Sequence, residues 1–93
     1  MSAADNRQAW SIAQLLSLLP AKPPRFDDPQ AIAVSYEMLL DDGAVSSPRG
    51  RGGCEIRHLG ITASVPGSGY LGATVLWINN ASAFVARADR RAA

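Results

Sequence analysis

Residues 46–53 read Ser-Ser-Pro-Arg-Gly-Arg-Gly-Gly, and they divide the chain into two parts of different character. Glycine leaves the backbone torsions unrestrained, and the segment holds no apolar side chain to anchor it. A flexible loop is expected over 46–53. Whatever forms before it must do so with helix-like periodicity, and whatever forms after it with strand-like composition.

Before the loop, Ile12, Leu15, Leu16 and Leu19 recur at i, i+3, i+4 and i+7, which is one face of a helix. Two starts compete. Asp5 with Gln8 and Ser11 with Gln14 both resemble capping boxes, and Trp10 with Leu15 would staple the second. A short helix over about 12–19 is the preferred reading, ended by Pro20, whose ring and missing N–H cannot continue the ladder. Pro23-Pro24 then reads as an extended linker. Asp28-Pro29 has the form of an N-cap followed by proline at the first helical position. Ile32, Tyr36, Leu39 and Leu40 follow at helical spacing, and Gly43 suits a left-handed C-cap. Residues 31–40 also alternate as a strand would; the caps and the alanines favour helix.

After the loop, Ile56, Leu59, Ile61 and Val65 read as β, with a bulge expected near Gly60. Pro66-Gly67-Ser68-Gly69 is a turn cluster. Tyr70 to Ile78 carries apolar residues on both parities, as a covered central strand would. Asn79-Asn80 suits a tight turn, and 81–88 is open between helix and strand. The fold class expected is α+β, with two short N-terminal helices packed on a small antiparallel β-sheet. Ile12, Leu15, Leu16, Leu19, Ile32, Tyr36, Leu39, Ile61, Val75 and Trp77 are the expected core, with Trp10 at its margin. At 93 residues, 1–93 is a single domain, with 1–10 and 89–93 expected to fray.

Composition narrows the function. Hydrophobic residues are 47% and charged residues 18%, which fits a globular protein better than a disordered one. The net charge is +1, and it is unevenly spread: residues 1–47 carry three basic and six acidic groups (−3), residues 48–93 six basic and two acidic (+4). A sequence pI near 8.0 falls short of the usual nucleic-acid-binding domain. No apolar run is long enough for a membrane helix. The N-terminus has no basic region before its apolar stretch, so a secretory signal is not expected. With Cys54 the single cysteine, a cytoplasmic location is the expectation, and the Asn80-Ala81-Ser82 sequon then has no meaning.

The motifs offer little chemistry. Cys54, Glu55 and His58 are the one cluster of reactive types, but on a strand Cys54 and His58 stand about 13 Å apart, too far for a nucleophile and its base. One Cys and one His cannot make a zinc site, and Asp27-Asp28 and Asp41-Asp42 lack calcium-loop spacing. Gly67-Ser68-Gly69-Tyr70-Leu71-Gly72 matches G-x-G-x-x-G. That motif works only between a strand and a helix, and the residues after it look like strand, so a hairpin turn and a packing position are the expectation. No catalytic residue, metal site or cofactor is therefore expected, and the chain reads as non-enzymatic. Arg49 and Arg51 of the loop, Arg57, and the tail residues Arg87, Arg90 and Arg91 form the candidate partner-binding set. The expected function is protein–protein contact, as an inhibitor, adaptor or accessory protein of the kind that phages and mobile elements encode. A sheet edge or the arginine loop would serve as contact surface, and homo-oligomer formation is open. The alternative is a winged-helix-like nucleic-acid-binding module in which the arginine loop or the 66–69 turn is the wing.

Overall fold

The computed structural model describes residues 3–92. The order of elements is α1 (Ala3–Leu18), α2 (Pro29–Asp41), β1 (Val45–Arg49), β2 (Gly53–His58), β3 (Ile61–Val65) and α3 (Gly69–Ala92). The three strands form one antiparallel sheet in the order β1-β2-β3. The α+β class stands, but the arrangement differs from expectation. The helix that lies across the sheet is α3, against β2 and β3, and α1 and α2 pack on α3.

The two N-terminal helices follow local signals. Asp28 Oδ1 accepts the backbone amides of Gln30 at 3.0 Å and Ala31 at 3.3 Å, and Pro29 occupies the first turn of α2. At the other end Gly43 has φ +103°, with Gly43 N donating to Leu40 O and Ala44 N to Leu39 O, a Schellman closure. So 31–40 is helix. The first helix is longer than expected. It begins at Ala3, so residues 3–10 are helical, and the Ser11 start is passed over because Ala9 joins the buried stripe with Ile12, Leu15 and Leu19. Residues 1–2, whose fraying was expected, and residue 93 lie outside the described residues. The linker is not extended: the Pro23–Pro24 peptide is cis, and Arg25 N donates to Lys22 O at 2.9 Å to close a turn. Ser35, buried within α2, accepts from Ala21 N at 3.0 Å and donates to Ala31 O at 2.9 Å, which fixes the linker to the helix.

Residues 46–53 are not a flexible loop. Val45–Arg49 pair with Gly53–Arg57 as β1 and β2, and only Gly50-Arg51-Gly52 turn. The reversal uses positive φ at Arg51 (60°) and Gly52 (79°). Pro48 is tolerated because β1 is an edge strand, where a missing donor costs the sheet least. The bulge expected near Gly60 is instead a two-residue hairpin: His58 pairs with Ile61, and Leu59 (φ 51°) and Gly60 (φ 77°) make the turn.

The largest correction concerns 69–92. Tyr70 to Ile78 is helix, not strand; Asn79-Asn80 is mid-helix, not a turn; 81–88 and 89–92 continue the same helix. The buried residues Ala73, Thr74, Trp77, Ile78, Ala81 and Ala88 fall on one helical face. β-branched and aromatic residues disfavour helix only weakly, and burying a continuous stripe on the sheet outweighs that preference. Trp77 is fully buried at the centre, its Nε1 donating to Ile61 O at 3.2 Å. Asn80 Nδ2 donates to Thr62 O at 3.2 Å rather than turning the chain. The expected core residues all lie in the core cluster, with Leu16, Tyr36, Ile61 and Val75 on its partly buried margin. Trp10 is 66% exposed and stands outside it.

Two substitutions test this packing by urea unfolding. Trp77→Ala removes the residue that joins helix to sheet and is expected to cost about 3–5 kcal/mol. Gly53→Ala would place a Cβ 2.7 Å from Val65 O, a backbone atom that cannot swing aside, and is expected to cost about 1–3 kcal/mol. Gly50→Ala, with open space around its Cβ, is the near-neutral control.

Candidate interaction surface

The six arginines chosen from the sequence do not form one patch. Arg49 and Arg57 lie on the face of the sheet turned away from α3, either side of Glu55. Glu55 Oε2 accepts from Arg49 Nη2 and from Arg57 Nε, both at 2.9 Å. Glu55 is only 12% exposed, whereas the two arginines are 52% and 66% exposed. The hydrogen bond from Arg49 foremost holds the Glu55 carboxyl below its ordinary value of 4.5; burial opposes it, and the hydrogen bond from Arg57 and the charges of both arginines add to the lowering. Arg51 is exposed in the β1–β2 turn. That turn abuts the start of α3, where Gly69 N donates to Gly52 O at 2.9 Å. Arg87, Arg90 and Arg91 are exposed near the other end of α3, about 27 Å or more along the axis at 1.5 Å per residue.

The reactive types are also held apart. At one end of β2, Cys54 is buried, its Sγ 3.4 Å from Ser46 Oγ, which accepts from Tyr36 Oη at 2.9 Å. The Tyr36 ring packs on Tyr70 with centroids 4.6 Å apart. This chain of hydroxyl and thiol groups holds no imidazole or carboxylate to act on the sulfur. At the other end, His58 Nε2 lies 2.7 Å from Asp42 Oδ2, and its ring centroid 6.0 Å from that of Trp77. An ionised carboxylate only accepts, so Nε2 carries the hydrogen. Asp42 is the C-cap of α2, a helix with no basic residue in its last turn, so His58 brings a donor from β2 to that electronegative end. Among the described residues no group of three or more His, Cys, Asp or Glu could hold a metal ion.

The glycine motif has the context that the sequence reading denied it: β3 precedes it and α3 follows. It nonetheless serves packing. The Gly52 carbonyl takes the Gly69 amide, and a Cβ on Gly72 would run into the Ser68 side chain.

Sequence reading missed the feature that stands out on the surface. From Gln8 to Ala21 the chain has no charged residue. A surface helix ordinarily turns charged side chains to solvent. The outward face of α1 instead presents Trp10 at 66% and Leu18 at 68% exposure, with exposed Gln14 and Ser17 on the same face. Beside them lies a recess of about 350 Å³, walled by Trp10, Leu15, Leu18, Leu59 and Asp42. It adjoins a hollow of about 270 Å³ that Leu15 and Leu18 share with Met38, Asp41 and Asp42 of the α2 end. The signal was present in the sequence as a long uncharged run. Its apolar residues outside the stripe were the clue.

No protein-family model, curated protein or solved structure matches this chain. Among the described residues no helix is long and apolar enough to cross a membrane.

The Glu55 ion triad makes a signed prediction. A carboxyl depressed in the fold adds stability that is fully present above its ordinary value of 4.5 and is lost as pH falls through the lower folded value. Lowering the pH from neutral to about 3 is therefore expected to reduce the urea midpoint of the wild type more than that of Glu55→Gln. The difference should shrink in high salt, which screens the exposed guanidinium groups.

Proposed function

We propose that the chain is a non-enzymatic protein-binding module, an inhibitor, adaptor or accessory protein, and that it works through the outward face of α1. One observation carries this reading: two large apolar side chains, Trp10 and Leu18, stand in solvent on a helix stretch without charge. Exposed apolar clusters beside a recess mark contact surfaces. Interface cores are depleted of charged groups and enriched in tryptophan.

The surfaces expected from the sequence are less suited. The edge of β1 is short and carries Pro48 and Arg49, both of which discourage an added strand. The edge of β3 is occupied in part by α3, whose Trp77 and Asn80 side chains bond the Ile61 and Thr62 carbonyls. Two of the six arginines are already engaged by Glu55, and the tail arginines are remote from them. That dispersal gives the nucleic-acid alternative no continuous basic track.

The test is affinity capture with the whole chain as bait, in three forms: wild type, Trp10→Ala/Leu18→Ser, and an arginine set with Arg49, Arg51 and Arg57 changed to Ala. The wild type and the arginine set are expected to retain a stoichiometric protein partner, whether a second copy or another chain. The α1 variant is expected to lose it while keeping its circular dichroism and unfolding midpoint. Retention by the α1 variant would overturn the reading. So would tight binding to duplex DNA that falls steeply with salt and disappears in the arginine set.

A further inference from the structure

We propose that the recess between α1, the 19–28 linker and α3 binds the alkyl chain of a single-chain amphiphile with a carboxylate head, and that Lys22 receives the head. The site is separate from the outward face of α1 and does not rest on the reading of Trp10 and Leu18. The recess measures about 390 Å³, within the range of small-molecule sites. Leu16, Ile78 and Val85 are its walls, and the short side chains of Ala13, Ala21 and Ser82 leave the space between them. Both sides are fixed by the fold. Ala21 N donates to the buried Ser35 hydroxyl at 3.0 Å, and Ile78 is buried in the core. A recess held in this way needs no ordering of its walls when a ligand enters.

Lys22 is the one charged residue that lines the recess; Arg25, Asp27 and Asp28 of the same linker do not. The Lys22 ammonium donates to Leu16 O at 2.9 Å and to Ser17 O at 3.1 Å. Those carbonyls belong to the C-terminal end of α1, where a helix carries about half a negative charge. The full charge of Lys22 exceeds it, and an ammonium has three donors, so one N–H remains for an anion. The two carbonyls also hold the ammonium beside the recess. Farther along the seam between α1 and α3, the recess shares Ala13 and Val85 with a hollow of about 250 Å³ where Asn6 and Asp89 stand. Asp5, next to Asn6 in the sequence, has the same sign as Asp89. Arg7, Arg90 and Arg91 line neither space. From residue 17 to residue 6 of α1 the seam runs about 16 Å at 1.5 Å per residue. A cation, an apolar seam and a carboxylate thus follow in order. The carboxylate end opposes an anionic head, so the head belongs at Lys22 and the chain points toward Ala13.

Calorimetric titration of the whole chain with decanoate, decanol and decylammonium, each below its micelle concentration, tests this, with amide chemical shifts to locate the binding. Decanoate is expected to bind one to one, about tenfold more tightly than decanol and decylammonium. Its shifts should centre on residues 13–23 and 78–85. Lys22→Met is expected to bring decanoate down to the affinity of decanol. Ser82→Leu, which fills the space, is expected to lose both while keeping the circular dichroism of the wild type. Anionic phospholipid vesicles are expected not to sediment the chain, because the recess takes a free chain rather than a bilayer surface. Failure of decanoate to bind, or shifts centred elsewhere, overturns the site. Equal affinity for the three head groups, or indifference to Lys22→Met, overturns the role of Lys22. Binding to vesicles without binding to free decanoate overturns the choice of ligand.

Discussion

Trp77 ties α3 to the sheet, and the rest of the molecule follows from that contact. Its side chain is fully buried and its indole N–H is held by the Ile61 carbonyl. Three strands of five, six and five residues make a small sheet with Cys54, Ile56 and Ala63 buried on one face. They need one face covered, and the stripe Ala73, Thr74, Trp77, Ile78 and Ala81 covers it. Once α3 lies there, its remaining flanks become the floor for α1 and α2. Ile12, Leu19 and Leu39 then close the core around it.

The sheet's two edges and its outer face are treated differently. α3 reaches over β3 to take two of its carbonyls. β1 is protected by brevity and by Pro48. The outer face is left polar, with Glu55 between Arg49 and Arg57. Each of these makes the sheet a poor place for another protein to dock. The two most exposed large apolar residues, Trp10 and Leu18, are found instead on α1; Val45 on β1, Val34 on α2 and Tyr70 on α3 are exposed singly.

Much of the N-terminal half was legible because its signals are local. Asp28, Pro29 and Gly43 act on backbone groups within a few residues of themselves, and the i, i+3, i+4 spacing of Ile12, Leu15 and Leu16 needs no distant partner. The second half was misread where composition was allowed to stand for structure. Val75, Trp77 and Ile78 look like strand residues, and Asn79-Asn80 looks like a turn. Yet Trp77, Ile78, Ala81, Phe84, Val85 and Ala88 keep helical spacing straight through the asparagines. Ser46 to Arg49 looked like loop because a Ser-Ser-Pro-Arg run has no alternation to show; it is a strand because β2 offers it a ladder. The candidate surface was half visible: the uncharged run from Gln8 to Ala21 could be counted, but which of its residues face solvent could not.

The amino-acid sequence by itself determined that the chain folds as α+β, that Ile12, Leu39 and Trp77 are core, and that Cys54 and His58 are too far apart on one strand to act together; for 31–40 its caps favoured the helix over a strand that the same residues also allowed. Those are consequences of torsion preference, short-range capping and spacing along a known repeat. Only the tertiary structure decided that 69–92 is one helix, that 46–49 is a strand, that Glu55 engages Arg49 and Arg57, and that Trp10 and Leu18 remain outside. Each of these depends on which surfaces meet, and the free energy of burying a long apolar stripe on a sheet is larger than the local preferences that point the other way.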